Sequence, residues 1–375
     1  MEYKIYYKMA TGPRFIFSLT TSPTRILELE PTIRSLLAQT YQASHIRLNV
    51  PLRFGRTGEE YVIPEWLGAI PNVRIHRCEV DYGPGTKLVP SVLEPCADAR
   101  DDDWIVTVDD DIRYQPFLLE ELAKVISSNG RKYTYGVSGC RITDYELNGE
   151  RALSLSAFYD NIAGDDIILE AYCAIAYPRE LFEDRPAAAA VPPMTFREYV
   201  DKTLLATKEC KFSDDVVLSN YSLMRGNLNY LVFGKILSRP RFWADGCVRD
   251  VGNNADALHE MKDWDSPEAR YIRVLDQLRD QNMLRLKIRV LSDADGPFQV
   301  GLKELPAPTT TITTSRKNKV IKNVWSFTNK VKSIIKEEEY NAIRIVINMY
   351  IKSNKCYELT FVNEKKGIVC KVHLN

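Results

Sequence analysis

The stretch that decides the fold is Trp104-Ile105-Val106-Thr107-Val108-Asp109-Asp110-Asp111, in which a short β-forming run is followed at once by three carboxylates. A run of this length and composition predicts a strand that is buried on both faces, as in a parallel sheet. Ligands of open α/β sheets bind outside the carboxyl ends of the strands. The three aspartates therefore follow the strand at the end where a ligand is expected.

Three adjacent carboxylates repel one another strongly unless a cation neutralises them. Hard divalent cations prefer oxygen ligands and leave coordination positions for phosphates, so Mn²⁺ or Mg²⁺ is the expected partner. The alternative is a solvated acidic turn, which is our interpretation of Asp101-Asp102-Asp103 before the same strand. Only the second triplet lies at the ligand-binding end, and we predict that it holds the metal.

Strand and helix patterns alternate upstream and downstream of this stretch. Strands are predicted at residues 15–20, 45–50 and 73–78, and helical spacing of apolar residues follows the first of them. Pro116 opens another helix after the aspartates. Such alternation is typical of βαβ units. The predicted fold class is α/β, with a mostly parallel, Rossmann-like sheet and helices on both faces.

The later part of the chain predicts further elements and a change of domain. Strands are expected at 133–142 and 167–177, and helices at 214–224 and 266–283. After Leu284 the sequence alternates strictly, and a Pro/Thr-rich segment follows. We predict a catalytic domain over residues 1–283, a connecting segment over 284–315, and a small β-rich or α+β module over 316–375. Strands of this module are expected at 342–350, 357–362 and 368–374.

Composition is that of an ordinary globular protein, with 375 residues, 45% hydrophobic residues and no net charge. From Arg316 onward there are 13 Lys/Arg against 5 Asp/Glu, which indicates a basic tail. The tail is a solvated lysine-rich surface or a contact for an anionic polymer or lipid headgroups. Nucleic acid is not an expected partner of the protein.

The eight cysteines are scattered without a Cys-x-x-Cys pair, which indicates reduced residues in a cytoplasmic protein and no zinc site. The first residues, Met1-Glu2-Tyr3-Lys4, lack the apolar region of a signal peptide. No apolar run reaches the roughly 18 residues that a membrane span needs. Any membrane contact is therefore expected to be peripheral.

Four motifs in order give the chain a family resemblance. The first is the first strand with the turn that follows it, Phe17-Ser18-Leu19-Thr20-Thr21-Ser22-Pro23-Thr24-Arg25. It precedes Leu36-Leu37-Ala38-Gln39-Thr40-Tyr41, Asp81-Tyr82-Gly83-Pro84-Gly85-Thr86-Lys87-Leu88 and the second aspartate triplet. Together they resemble glycosyltransferases of the GT-A fold, in particular family-2-like bacterial and large-virus enzymes. The resemblance covers roughly residues 12–280, and its specificity lies in the order and spacing of motifs that are individually weak.

The resemblance implies roles for the donor side of the site. Asp111 would bind the metal directly, while Asp109 would contact the ribose or reach the metal through water, with Asp110 beside them among the donor contacts. The nucleotide pocket would be lined by Thr20, Thr21 and Arg25. Lys87 would meet a phosphate or the base, the alternative being a surface lysine. His259 lies where some GT-A families place a third metal ligand, the alternative being an ordinary surface or core histidine.

A second acidic pair, Asp214-Asp215, opens the helix predicted at 214–224. The structural explanation is that Ser213 or Asp214 caps this helix. The pair also resembles the Glu-Asp motif of inverting GT-A enzymes, which implies that Asp215 is the general base and Asp214 its neighbour. The two could exchange roles, because sequence does not define which carboxylate points inward.

The predicted activity is transfer of a sugar from a UDP-, GDP- or dTDP-linked donor to a hydroxyl of a glycan, glycolipid or glycoprotein. A retaining mechanism is the nearest alternative, followed by a sugar-nucleotide-binding protein without activity, which would not need a base. A dehalogenase-like phosphatase is a further alternative. Its Asp-x-Asp motif would lie near the N-terminus with a Thr or Val two residues on, whereas here Asp111 is followed by Ile112-Arg113. A nucleotidyltransferase would require a glycine-rich phosphate loop where this chain has Thr20-Thr21-Ser22-Pro23.

Overall fold

The computed structural model describes residues 12–147, 150–157, 161–183, 194–232, 267–292, 298–305, 356–363 and 367–374. Fifteen strands lie in these ranges: β1 (Phe15–Leu19), β2 (His45–Pro51), β3 (Val73–Cys78), β4 (Trp104–Thr107), β5 (Tyr133–Gly136), β6 (Gly139–Leu147), β7 (Glu150–Ala157), β8 (Ile162–Gly164), β9 (Ile168–Leu169), β10 (Ile175–Pro178), β11 (Leu228–Leu231), β12 (Arg289–Ser292), β13 (Phe298–Leu305), β14 (Cys356–Asn363) and β15 (Gly367–Leu374).

The helices of the described ranges are mostly short, and all but the last lie between strands of the first 231 residues. They are α1 (Glu30–Leu37), α2 (Glu65–Gly68), α3 (Val89–Leu93), α4 (Leu118–Asn129), α5 (Phe196–Lys202), α6 (Lys208–Lys211), α7 (Asp214–Met224) and α8 (Pro267–Asp280). Three 3-10 helices, Arg25–Glu28, Gly83–Lys87 and Arg179–Phe182, complete the described helical structure.

Eight of the strands form one sheet in the order β3-β2-β1-β4-β10-β5-β11-β8. The pairs β3–β2, β2–β1, β1–β4 and β5–β11 are parallel, while β10 and β8 run antiparallel to their neighbours. The chain builds outward from β1 to β3 and then returns to place β4 on the other side of β1. This reversal makes the β1–β4 boundary the topological switch point of a Rossmann-like sheet.

The core lies around β1 and β4, whose residues are all buried. Apolar residues of α1 and α4 cover the sheet, because both helices place their buried side chains on one face: Ile33 and Leu36 from α1, and Leu118, Leu119, Leu122 and Ile126 from α4. The predicted fold class, α/β with a mostly parallel sheet, is confirmed. The predicted strands at 15–20, 45–50 and 73–78 and the predicted helix at 214–224 are also confirmed.

Two predicted single strands are each two strands in the structure. Residues 133–142 divide into β5, in the large sheet, and β6, which belongs to a second sheet with β7, β9 and β12. The chain leaves the large sheet at Gly139, where a Cβ atom would lie 2.7 Å from the carbonyl oxygen of Ile168. Residues 167–177 divide into β9 and β10 around a turn that includes Ala174, a non-glycine residue at φ 135°.

The chain separates into two compact units, residues 1–140 with 157–287, and residues 141–156 with 288–375. The second unit contains most of β6 and β7, which are neighbours in one sheet, together with β12 paired parallel to β6 and the antiparallel sheet β13-β14-β15. The strands expected at 357–362 and 368–374 are β14 and β15, while the one expected at 342–350 lies outside the described residues. The domain limits 1–283, 284–315 and 316–375 stay a prediction. Within the described ranges, no helix combines the length and the apolar character that crossing a bilayer requires.

Candidate functional site

The candidate site lies at the switch-point edge, which we define as Thr20 and Thr21 after β1 and Val108 to Asp111 after β4. The two segments are neighbours because the Val108 N–H donates to the Ser18 carbonyl oxygen at 3.1 Å. The parallel register of β1 and β4 therefore brings the turn after β1 and the aspartate triplet together. This is the position at which open α/β sheets bind ligands.

The three aspartates differ in exposure and in partner. The Asp110 side chain is 7% exposed and contacts the Arg25 guanidinium, while Asp111 is 20% exposed and lies 2.9 Å from Arg25 Nη2. The Asp109 side chain is 30% exposed. Thr32 Oγ1 donates to the Asp110 carbonyl oxygen at 2.8 Å, which holds the turn against α1. Burial raises the pKa of Asp110, and the charge of Arg25 opposes that shift.

Lys87 connects the aspartate triplet to the second acidic pair. Its Nζ lies 2.7 Å from Asp109 Oδ1 and 3.6 Å from Asp214 Oδ2, and its side chain is only 7% exposed. Burial by itself lowers the pKa of Lys87, but the charges of Asp109, Asp214 and Asp215 outweigh burial and raise it above the ordinary value. The alternative of a surface lysine is therefore wrong, because the ammonium group is enclosed among carboxylates.

The pair Asp214-Asp215 begins α7, as the sequence predicts. Ser213 is the cap residue, but its side chain makes no capping hydrogen bond, so capping by Ser213 does not explain the motif. The Asp215 carboxylate accepts a hydrogen bond from the Ala171 N–H at 3.0 Å. Burial raises the pKa of Asp215 well above its ordinary value, and the neighbouring charge of Asp214 raises it further.

Two contacts of the site carry no sequence signal. Tyr114 is buried, accepts a hydrogen bond from the Asp109 N–H at 2.8 Å, and donates to the Tyr172 carbonyl oxygen at 3.0 Å. The turn between β9 and β10 is thus linked to the aspartate triplet through Tyr114, and its Ala171 contacts the acidic pair directly. Neither contact is visible in the sequence, because a buried tyrosine and a backbone N–H have no distinguishing local pattern.

The residues predicted to line the nucleotide pocket lie at the same edge of the sheet. Thr20 Oγ1 donates to the Asn49 carbonyl oxygen at 2.9 Å, which fixes the end of β1 against β2. Thr21 is buried, and its carbonyl oxygen accepts a hydrogen bond from Tyr61 at 2.9 Å. The structure thus brings Thr20, Thr21 and Arg25 to the aspartate triplet. His259 lies outside the described residues.

The carboxylates of the aspartate triplet are suited to a divalent cation that is also coordinated by a bound ligand. Among the described residues, no three His, Cys, Asp or Glu side chains form a group that could hold a metal ion by themselves. Magnesium-type sites commonly use one or two carboxylates and complete their shell with phosphate oxygens and water. Asp109 and Asp111, the more exposed members of the triplet, provide two carboxylates. Asp110 Oδ2 is buried, and the Asp110 carboxylate is paired with Arg25.

No model of a known protein family matches the chain, and no curated protein sequence matches it. Among solved structures, residues 1–349 of Staphylococcus aureus TarS in complex with UDP are similar at 14% identity and a TM-score of 0.35, over 59% of this chain and 58% of that one. TarS without UDP is similar at 13% identity and a TM-score of 0.34. The Francisella tularensis 2-C-methyl-D-erythritol 4-phosphate cytidylyltransferase, IspD, is similar at 11% identity and a TM-score of 0.29, over 46% of this chain and 75% of that one. The chain thus spans less than two thirds of the TarS structures that it resembles.

Proposed function

We propose that this protein is a glycosyltransferase that moves a sugar from a nucleoside-diphosphate donor to a hydroxyl group of an acceptor. The observation that carries the proposal is that two acidic motifs lie around the buried ammonium group of Lys87. Its Nζ lies 2.7 Å from Asp109 Oδ1 and 3.6 Å from Asp214 Oδ2. The first motif follows β4 at the switch point, where nucleotides bind in sheets of this kind. The second motif supplies carboxylates to the same site, and a protein that only binds a nucleotide would not need them.

On the donor side, Thr20, Thr21 and Arg25 would line the pocket for a UDP-, GDP- or dTDP-linked sugar. Asp109 and Asp111 would hold Mn²⁺ or Mg²⁺, which would offset the negative charge that develops on the departing diphosphate. Arg25 contacts both Asp110 and Asp111, so it would orient the triplet from the side of the nucleotide pocket. These assignments are the ones that the resemblance to GT-A glycosyltransferases implies, and the position of the residues at the switch-point edge supports them.

On the acceptor side, Asp215 would serve as the general base. The acceptor oxygen forms a bond to the anomeric carbon while the bond from that carbon to the diphosphate oxygen breaks, and the hydroxyl proton passes to the Asp215 carboxylate. A base works best when its pKa lies near the operating pH. Burial and the charge of Asp214 raise the pKa of Asp215, which supports this role. Attack opposite the leaving group inverts the anomeric centre.

The test is a panel of UDP-, GDP- and dTDP-linked sugars incubated with the protein, Mn²⁺ and a mixture of glycan acceptors, with released nucleoside diphosphate as the readout. We expect release from one donor class, and loss of that release in Asp215→Asn. Binding of a donor without release by wild-type protein would identify a sugar-nucleotide-binding protein instead. The configuration of the transferred sugar, measured by NMR, separates inversion from retention.

A further inference from the structure

Lys87 is a charged residue in an enclosed position, and its partners belong to different parts of the site. Lysine is almost never fully buried unless it is paired, because removing an ammonium group from water costs several kcal/mol. Here Nζ is paired with Asp109, which follows β4, and with Asp214, which begins α7. One cation therefore connects the segment assigned to the donor with the helix that carries the proposed base.

The backbone around Lys87 is held firmly, so its side chain has a defined direction. The Lys87 carbonyl oxygen accepts a hydrogen bond from Ser18 Oγ in β1, and Asn49 Nδ2 donates to the same hydroxyl at 3.2 Å. At the start of the 3-10 helix, the Gly83 N–H donates to Asp81 Oδ1 at 2.6 Å. The ammonium group is thus held between the carboxylates by contacts of its own segment with the sheet.

The negative charges on either side of Lys87 explain why a cation is needed between Asp109 and Asp214. Asp109 and Asp214 repel each other, and burial of Asp214 adds to the cost of its negative charge. Asp214 Oδ2 accepts no hydrogen bond from any described residue, which leaves the Lys87 ammonium at 3.6 Å as its compensating charge. Without Lys87, the start of α7 would lose this attraction toward the segment after β4.

We propose that Lys87 is a positioning residue that holds Asp109 and the start of α7 in a common geometry, and so aligns the donor with the base Asp215. The inference rests on the proposed transferase function. This role differs from the contact with a phosphate or with the nucleotide base that the resemblance implies for Lys87. Here the ammonium group acts on the reaction through the carboxylates of Asp109 and Asp214. Its loss should therefore slow turnover more than it weakens donor binding.

The experiment compares Lys87→Met, Lys87→Arg and Asp214→Asn with the double variant Lys87→Met/Asp214→Asn, using the donor that the panel identifies. Misplacing reacting groups by about 1 Å can cost on the order of 100-fold in rate. We expect Lys87→Met to lower kcat by about that factor, with the donor KM within about threefold of wild type, and Lys87→Arg to recover part of the loss. The double variant should be no slower than the slower single variant, because both changes break the same link.

Lys124→Met is the matched control, since Lys124 pairs with Glu120 and Glu121 but its side chain is 58% exposed, and its kcat should stay at the wild-type value. If Lys87→Met does not fold, the double variant is used in its place, because it removes a positive and a negative charge together. Its kcat is compared with the kcat of Asp214→Asn alone. An unchanged kcat there supports the link, while a further loss contradicts it.

Three other outcomes would overturn the proposal. A wild-type kcat in Lys87→Met, or losses that multiply in the double variant, would show that Lys87 does not act through Asp214. A donor KM raised more than about tenfold at unchanged kcat would indicate direct contact with the donor. In all these cases wild-type turnover still supports the transferase function. If the wild-type protein turns over no donor, the transferase proposal itself is wrong, and the functional role of Lys87 is wrong with it.

Discussion

The aspartate triplet separates structural and ligand-facing roles between adjacent side chains. Asp110 is enclosed and contacts Arg25, whereas Asp109 and Asp111 keep 30% and 20% of their side-chain surface exposed. A buried carboxylate is stable only when cations or hydrogen bonds compensate its charge. Asp110 therefore belongs to the framework of the site, and its two neighbours are the groups that can reach a ligand.

Asp111→Asn tests the metal assignment at the residue scale. Replacing the carboxylate by an amide keeps the side-chain shape but removes the charge that a hard cation requires. Loss of an outer-shell partner of a metal typically costs about 10–100-fold in affinity, so loss of a ligand should cost more. We expect calorimetry to show that UDP, GDP and dTDP lose their Mn²⁺-dependent binding. Asp102→Asn, at an exposed position before β4, is the control, and equal binding by both variants would contradict the assignment of Asp111 to the metal.

Asp215→Asn tests the base. General-base catalysis contributes roughly 10²–10⁴-fold in rate, so kcat should fall by that order while the donor KM changes little. Asp214→Asn should cost less, because Asp214 points to Lys87 and acts through it. Steady-state kinetics of nucleotide release measure both variants. A larger loss of kcat in Asp214→Asn than in Asp215→Asn would mean that the two aspartates exchange roles.

At the scale of secondary-structure elements, the 3-10 helix Gly83–Lys87 is the piece that orients the buried lysine. Gly83 has φ 63°, and a Cβ atom there would lie 3.0 Å from Lys211 Cγ. Positive φ is strained for residues with a side chain, so glycine is required for the turn. The element thus depends on one glycine at its start and on the hydrogen bond from Ser18 at its end.

Gly83→Ala should destabilise the protein and lower its activity. Positive φ costs an alanine about 1–2 kcal/mol, and the contact with Lys211 adds to that cost. Gly58→Ala is the matched control, because Gly58 has φ 76° but open space around the added methyl group. Urea unfolding should therefore show a greater loss of stability for Gly83→Ala than for Gly58→Ala, and nucleotide release should fall only in Gly83→Ala. Equal effects of the two substitutions would mean that the contact with Lys211 does not matter.

For the molecule as a whole, the end of the first compact unit is tied to α7 by one side chain. Asn220 Nδ2 donates to the Met283 carbonyl oxygen at 3.0 Å, and its Oδ1 accepts the Arg285 N–H at 2.6 Å and the Leu286 N–H at 3.1 Å. Met283 and Leu286 are also buried. Residues 283–286 therefore contact α7 within this unit.

Truncation after residue 287 and truncation after residue 282 should therefore differ in stability. Both remove β12, the partner of β6, so that loss cancels in the comparison. The shorter chain also loses two buried apolar side chains and the three Asn220 contacts, which together are worth at least about 3 kcal/mol. Thermal unfolding should give a lower melting temperature for the 1–282 chain. Equal melting temperatures would show that residues 283–287 are dispensable.

His45 makes the stability of the domain depend on pH. Burial and the charge of Arg74 lower the pKa of His45 to about 4, against 6.5 for an accessible histidine. Because the folded state binds the proton less tightly, the stabilisation is present above pH 6.5 and is lost as the pH falls toward 4. Between pH 7 and pH 5 the loss from this residue should be about 2 kcal/mol. In urea unfolding, the free energy of unfolding of His45→Gln should depend less on pH than that of the wild-type protein. An unchanged pH dependence would mean that His45 is not its source.

Much of the fold can be predicted because local patterns report burial directly. The apolar run at 104–108 is too short for a helix and too continuous for a half-exposed strand, and it is β4 at the centre of the sheet. The helical pattern from Asp214 matches α7 residue by residue. The sequence could not predict that 139–147 pairs with 289–292, because nothing local specifies a partner so distant along the chain.

By itself, the sequence determined the α/β class and the position of the aspartate triplet after β4, because hydrophobic periodicity and the ends of parallel strands obey local rules. Only the tertiary structure decided that Asp110 turns inward to Arg25, that Tyr114 supports the Asp109 backbone, and that Lys87 lies enclosed between Asp109 and Asp214. These contacts join segments that are far apart in the chain. Their geometry depends on strand order and on packing around β1 and β4, which no single segment encodes.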